Sequence, residues 1–314
     1  MVPDLPSFEI PASAETAAAE DSRFVREAVN GRLLTAADQG RGTALWAQGL
    51  VGWGLTGRDG EAGRLDRLTD GAFAGADTDL PGGWRVGVLG GRERTSLRSR
   101  LDPAAGTVAS DHLGLYAGGQ WGPVGLRLGA AYAWRRLEME RKAVLAGSPK
   151  SLASRYHGGL FQTFGELGYR LPFGPATVEP FVGGAYVAQK AGAYAETGPA
   201  VAFTGKAESR PLGFAMLGLR ETAPFEIAGV GASLTGAIGW RRAFGRLTPY
   251  AAQAWAGGPA IDVPGGAVAR NAATLEGGLS VALPGRVALG LTYNGQIGAN
   301  LDAVAVRAGL HWSF

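Results

Sequence analysis

From residue 45 to its last residue the chain alternates between apolar positions and small or polar ones. Across 124–135, Val124, Leu126, Leu128, Ala130, Tyr132 and Trp134 hold one parity; Gly125, Arg127, Gly129, Ala131, Ala133 and Arg135 hold the other. Across 161–171, Phe161, Gly165, Leu167, Tyr169 and Leu171 alternate with Gln162, Phe164, Glu166, Gly168 and Arg170. A period of two marks strands with one apolar face. It predicts strands at 45–56, 70–80, 84–95, 111–121, 124–137, 158–171, 177–190, 212–222, 230–242, 271–283, 286–298 and 303–314. The stretch 247–258 alternates too, and counting it would give an odd number of strands. A barrel with both ends on one side of a membrane needs an even number, so 243–270 is assigned to a long excursion, a hairpin, between the ninth and tenth strands.

A soluble sandwich also alternates, with its apolar face turned inward. Two features argue for a membrane barrel instead. Short connections ("LPGG", "GP", "LPFGPA", "LPG") alternate with long ones (57–69, 96–110, 138–157, 191–211), as when one set of turns faces the periplasm and the other the exterior. The second feature is where the aromatics of the apolar face fall. Trp84, Trp121, Tyr169, Trp312 and Phe314 lie at the short-turn ends; Trp53, Tyr132, Trp134, Tyr186, Trp240 and Tyr293 lie toward the long-loop ends. Two aromatic belts around an aliphatic band suit the two interfaces of a bilayer. The expected fold is all-β, a twelve-stranded antiparallel transmembrane barrel whose last strand closes on the first, because open edges have no place in lipid.

Before the strands the period is helical. Residues 1–12 read as a proline-containing linker, 13–39 as a helix and 40–314 as the barrel. Ser13 can cap the helix, Glu15 and Glu20 come early, and Arg26 and Arg32 follow. Phe24, Val25, Ala28, Val29 and Leu33 form only a narrow apolar stripe among charges. Such a helix suits a polar environment, and a twelve-stranded lumen is intermediate between barrels filled by side chains and open porins. One helix ~10–12 Å across fits there, and ~27 residues reach ~40 Å, enough to cross a membrane.

Composition narrows the function. The 52 glycines follow no triplet period, which excludes collagen. They fall inside alternating segments, where strands bend or another backbone packs closely. There is no cysteine, so disulfides, thiolate metal sites and cysteine nucleophiles are excluded. A net charge of +3 with scattered basic residues gives nucleic-acid binding little support. No run reaches the ~18 apolar residues of a membrane helix. The opening "MVPDLPSFEIPASAET" lacks the basic and apolar regions of a signal peptide, and the chain is expected to be a segment of a longer precursor.

Several stretches, in order, carry a resemblance: "LWAQGLVGWG" (45–54), "HLGLYAGGQWG" (112–122), "FGELGYRL" (164–171), "VEPFVGGAYV" (178–187), "GWRRAFG" (239–245), "LGLTYNGQIG" (289–298) and the terminal "AGLHWSF". From about residue 20 to 314 the chain resembles the translocator (β) domain of autotransporters, the type V secretion proteins of Gram-negative bacteria. The resemblance implies an outer-membrane barrel crossed by its N-terminal helix, which exports and anchors an N-terminal passenger and is not itself an enzyme. It also implies assembly by the outer-membrane insertion machinery, read from the last strand with Trp312 and Phe314. The implied partners are membrane lipid and lipopolysaccharide, periplasmic chaperones and its own passenger, with the barrel a monomer. The alternative is a porin or adhesin-like barrel with functional surface loops.

By alternation Glu166, Arg170, Glu179, Arg220, Arg241, Glu276, Gln296 and Arg307 line the lumen, facing Arg23, Arg26 and Arg32 of the helix. In the self-cleaving subset of the resembled family, lumen carboxylates assist cyclisation of a helix asparagine. Here Asn30 with Glu166 and Glu179 would fill those roles. That subset resembles an Asn-Asn pair, whereas this chain has Asn30-Gly31. The preferred reading is that both glutamates pair with Arg23, Arg26 or Arg32, because charges removed from bulk water need partners. His112, His157 and His311 are far apart with no carboxylate or cysteine at metal spacing, so neither metal nor cofactor is expected.

Overall fold

The computed structural model describes residues 9–38, 42–56, 65–99, 104–145, 148–198, 202–255 and 259–314. Twelve long strands alternate in direction: β1 (Thr43–Thr56), β2 (Leu65–Leu80), β3 (Trp84–Ser99), β4 (Ala104–Trp121), β5 (Val124–Leu145), β6 (Ser148–Tyr169), β7 (Ala176–Ala191), β8 (Glu208–Ile227), β9 (Val230–Gly245), β10 (Asn271–Leu283), β11 (Val287–Gly298) and β12 (Leu301–Ser313). Each pairs antiparallel with its neighbours in sequence, and β12 pairs with β1 from Ala44↔Ser313 to Thr56↔Leu301. The ring is closed. Every barrel strand therefore has a partner on both sides, the condition for standing in hydrocarbon.

Alternation sorts the two faces. Leu45, Val51, Leu115, Leu217, Ile238 and Leu291 point outward, and all are exposed. Their neighbours in sequence, such as Ala44, Leu50 and Tyr116, are buried inside. Large inward rings need space in the wall, and glycines supply it. A Cβ on Gly87 would stand 2.3 Å from Cζ of Tyr116, and one on Gly129 2.3 Å from Cζ of Phe164.

The strands extend further than their apolar faces. The segments 96–110 and 138–157, expected as loops, are mostly ladder: β5 continues to Leu145 and β6 begins at Ser148. Beyond Leu137 the inner face stays buried (Met139, Arg141), while the outer face becomes Glu138, Glu140 and Lys142. Pairing persists where the outer surface meets water, so this hairpin rises above the membrane band. Short strands from two long connections (Tyr194–Ala195, Phe203–Gly205, Tyr250–Trp255 and Ile261–Pro264) form a separate four-stranded sheet at the same end. The expected hairpin in 243–270 is thus one half of this sheet. Arg141 ties it to the barrel wall, giving Glu196 two hydrogen bonds of 2.8 and 2.7 Å and lying 5.0 Å over the ring of Phe203.

Inside lie α1 (Ile10–Asp21) and α2 (Arg23–Asp38), one rod interrupted at Ser22. The helix starts at Ile10 rather than Ser13. Pro11 falls in the first turn, where no backbone N–H is required. Residues 1–8 of the expected linker and residue 39 of the expected helix lie outside the described residues. Ile10, Ala14 and Ala17 pack against Leu65, Leu97, Val108, Leu137 and Met139 at the long-connection end. Leu33, approached closely by Gly118, marks the short-turn end, where β1 begins.

Candidate functional site: the helix-filled lumen

Nearly every charge on the helix meets a complementary group on the wall, level by level. Near the long-connection end Arg135 grips Glu15 with two hydrogen bonds of 3.1 and 2.9 Å. Gln189 donates to the carbonyl of Glu15 at 2.7 Å, and Arg210 holds Gln189 at 3.1 Å. Glu20 is gripped by Arg241, whose second contact is 3.2 Å, and accepts the backbone N–H of Ala269 at 3.3 Å. Asp21 accepts the hydroxyls of Thr69 (3.0 Å) and Thr95 (2.9 Å).

Ser22 explains the break. Its hydroxyl turns back to the carbonyl of Ala19 at 2.6 Å, a contact that competes with the helical ladder. Gln162 donates to the carbonyl of Ser22 at 3.1 Å, and Arg26 bridges the Ser22 hydroxyl (2.9 Å) to the Gln162 amide oxygen (2.8 Å). One wall glutamine thus holds the interruption from two sides.

Toward the short-turn end Arg32 gives Asp77 two hydrogen bonds of 2.6 and 2.7 Å. Asp77 also accepts from Arg85 (2.5 Å) and from the hydroxyl of Tyr116 (2.6 Å), which is itself held by the indole N–H of Trp46 at 2.7 Å. Asn30 donates its side-chain amide to Glu166 at 3.2 Å.

The loop between β9 and β10 enters the mouth as a strap. Gly266 donates its N–H to the Ser13 hydroxyl at 2.9 Å and accepts from the Thr16 hydroxyl at 2.5 Å. A Cβ on Gly265 would lie 2.5 Å from the backbone nitrogen of Ser13, so only glycine permits this approach. Val268 and Ala269 are buried beside the helix.

The lumen pairing differs from the expected one. Glu166 and Glu179 pair with the wall, not with helix arginines. Arg127 reaches Glu166 at 2.9 Å and Glu179 at 2.9 Å, Arg220 reaches them at 3.2 and 2.9 Å, and Arg170 adds a 3.0 Å contact to Glu179. Arg23 pairs along its own helix with Glu27 (3.2 Å), and Arg26 meets an amide and the ring of Phe214 rather than a carboxylate. Only Arg32 reaches a wall carboxylate, and that is Asp77. Arg241 touches the helix directly, and Arg307 stands 3.8 Å from Glu27. Glu276 instead binds Arg307 (3.4 Å) and the Asn294 amide (2.6 Å), while Gln296 is buried in the wall. Asp77, Arg135, Gln162, Gln189 and the strap were not singled out from sequence. The first four lie on the inward parity, which was the available signal; the strap had none.

The aromatics stand on the outer face as alternation places them. Trp53, Tyr132, Trp134, Tyr169, Tyr186, Trp240, Tyr293, Trp312 and Phe314 are exposed, with Trp84 and Trp121 partly covered by edge-on contact with each other at 4.8 Å. Among the described residues no group of three or more histidines, cysteines or carboxylates forms a metal cage.

A closed, apolar-coated ring of twelve strands with a polar lumen threaded by one helix is the architecture of a transmembrane β-barrel with an internal plug. The family model described as the autotransporter β-domain matches residues 45–294. The chain belongs to that family and is an outer-membrane translocator domain. Two curated relatives, both named extracellular serine protease from Serratia marcescens, are 30% identical over 318 residues and 31% identical over 320. Each alignment covers 98% of this chain, which spans 30% of the relative's length. Among solved structures, the translocator domain of autotransporter NalP from Neisseria meningitidis superimposes with a TM-score of 0.75 at 18% identity, covering 96% of this chain and 99% of that one. The β-domain of the Bordetella autotransporter Brka gives 0.63 at 18% identity, over 87% and 100%.

Proposed function

We propose that this barrel exports and then anchors a passenger joined to the N-terminal side of its helix. One observation carries the proposal: the helix lies in the lumen with Ile10 at the long-connection mouth and its other end beside the start of β1. In an outer-membrane barrel whose short turns face the periplasm, a segment preceding Glu9 emerges outside the cell. The polar wall offers a translocating chain hydrogen-bonding partners, and the finished helix then takes them up at Glu15, Glu20, Ser22 and Arg32. Lipopolysaccharide and outer-membrane lipid surround the barrel. Periplasmic chaperones deliver it, the insertion machinery reads Trp312 and Phe314, and the finished domain is a monomer.

The test places an epitope ahead of Glu9 and compares the full barrel with a form lacking residues 13–39. The epitope should be cut by protease added to intact cells, and the helix deletion should raise single-channel conductance in planar bilayers. An epitope protected in intact cells would overturn export. Unchanged conductance would overturn the plug and favour the porin-like alternative.

A second reading is supported by the Asn30–Glu166 contact. In it, the Asn30 side-chain nitrogen attacks its own main-chain carbonyl carbon, Glu166 takes the proton, and the Asn30–Gly31 bond breaks with Gly31 leaving as an amine. Against it, Glu166 is already engaged by Arg127 and Arg220. We therefore favour an uncleaved helix. Intact mass decides between them, since self-cleavage gives a barrel fragment beginning at Gly31.

A further inference from the structure

Outside the lumen, the lipid-facing wall carries an uneven charge. At the level of the external aromatics, and just beyond it, Arg94 on β3, Arg136 on β5 and Lys190 on β7 point outward and are exposed. Register places Ala109 opposite Arg94 on one side and opposite Arg136 on the other. His157 follows opposite Arg136, and Lys190 stands opposite Gly159, whose other neighbour is Trp134. With strands ~4.8 Å apart, the Cα atoms of Arg94 and Arg136 lie ~10 Å apart across the small Ala109. Two long cations can converge over that gap.

These cations are also unoccupied. Nearby Arg92 pairs with Asp111 at 3.5 Å and Arg155 with Glu138 at 2.9 Å. Asp70 stands opposite Arg94 in register, yet no carboxylate among the described residues forms an ion pair with Arg94, Arg136 or Lys190. The neighbouring belt is aromatic: Tyr132 and Trp134 meet edge-on at 4.9 Å.

On the same strands, nearer the periplasmic side, the wall is hollowed. A depression of about 820 Å³ is lined on the outside by Ala76, Val88, Leu115, Ala117, Leu128 and Ala130. The outward positions between the larger residues are small: Ala76, Thr78, Ala117, Ala130 and Thr163 leave the wall low there.

We propose that this face holds one lipopolysaccharide molecule of the outer leaflet, with lipid A phosphate bound between Arg94 and Arg136, Lys190 beside it, and acyl chains lying on the hollowed wall. Charge complementarity selects the occupant. A phosphorylated glycolipid brings anionic groups to the height of the arginines and several hydrocarbon chains to the surface below them. Guanidinium groups match phosphate geometry with paired N–H donors.

The experiment titrates the purified barrel in detergent with fluorescent bisphosphorylated lipid A, the same lipid after phosphate removal, and phosphatidylglycerol. The parent protein should bind bisphosphorylated lipid A on the order of tenfold more tightly than either other lipid. Arg94→Ala/Arg136→Ala should lose that margin, since a basic side chain near an anionic lipid surface contributes about fivefold in affinity. Arg242→Ala, an outward arginine on β9, serves as the control and should change nothing. A difference in migration between the unheated and the heated barrel on a denaturing gel reports folding. If the alanine pair fails that check, Arg94→Gln/Arg136→Gln is measured with the same expected loss. Unchanged binding by the folded variant overturns the site. So does phosphatidylglycerol bound as tightly as lipid A, or an equal loss with the dephosphorylated lipid.

Discussion

The most exacting consequence of the lumen network concerns Glu20 and Arg241. Both side chains are only 2% exposed, and Arg241 grips Glu20 with two nitrogens while Glu20 also accepts the Ala269 N–H. Glu20→Ala removes the helix partner and leaves a guanidinium buried against the Phe214 ring, with the Ala269 carbonyl at 3.4 Å as its remaining acceptor. Stranding one member of a buried pair costs about 3–5 kcal/mol. At ~1.4 kcal/mol per factor of ten, the helix-displaced population should rise between about a hundred and a few thousand fold. Removing both charges, as Glu20→Leu/Arg241→Leu, should restore most of the loss because nothing charged remains to desolvate. The readout is the open-pore fraction in planar bilayers, with protease cutting of the helix as a second measure. Additive effects of the two single changes, or an unaltered open fraction in Glu20→Ala, would refute the claim that the pair fixes the helix.

Other tests probe different parts of the molecule. Gly87→Val should push the Tyr116 ring from its place, break its hydrogen bonds to Asp77 and Trp46, and lower the thermal midpoint by several degrees in a melt followed by circular dichroism; an unchanged midpoint would mean the ring has another position. Asp77→Ala should loosen the far end of the helix by a few kcal/mol, since Arg32 loses its two bonds to Asp77, and the measurement is hydrogen exchange confined to α2. Removing Phe314, whose N–H bonds the carbonyl of Thr43 at 2.9 Å, should reduce the amount of barrel in the outer membrane more than it lowers the stability of what does assemble. Normal surface levels of that truncation would contradict an assembly role for the last residue.

Much of the architecture was legible because alternation is local. In β5 the parity of Val124, Leu126 and Leu128 fixes which way Arg127 and Arg135 point without any knowledge of their neighbours. Strand ends were less legible, because the strands were drawn only as far as one face stays apolar. The ladder of β5 instead continues while Leu137 and Met139 stay buried and only the outer residues turn polar. The helix start was missed because Pro11 is ambiguous: it suits a linker and equally the first turn of a helix. Partner choice inside the lumen was beyond reach. Which wall residue meets Arg32 depends on register summed around the barrel, so Asp77 on β2, and not Glu166 on β6, is its partner. The strap was invisible for the same reason, since nothing local marks Gly265 and Gly266 as helix neighbours.

That strap sets an order of events. Thr16 and Gly266 are separated by 250 positions, and Glu20 waits for Arg241 and Ala269 on the same late part of the chain. While β1–β8 are pairing, Glu15 can already find Arg135 and Gln189, and Arg32 can find Asp77, but Thr16 and Glu20 still lack Gly266, Arg241 and Ala269. The hold on the helix at its long-connection end is therefore completed only when the last quarter of the chain arrives. Contacts so distant in sequence form late. On the export proposed above, that interval is when a polypeptide still slides past the external mouth, and the arrival of the strap ends it.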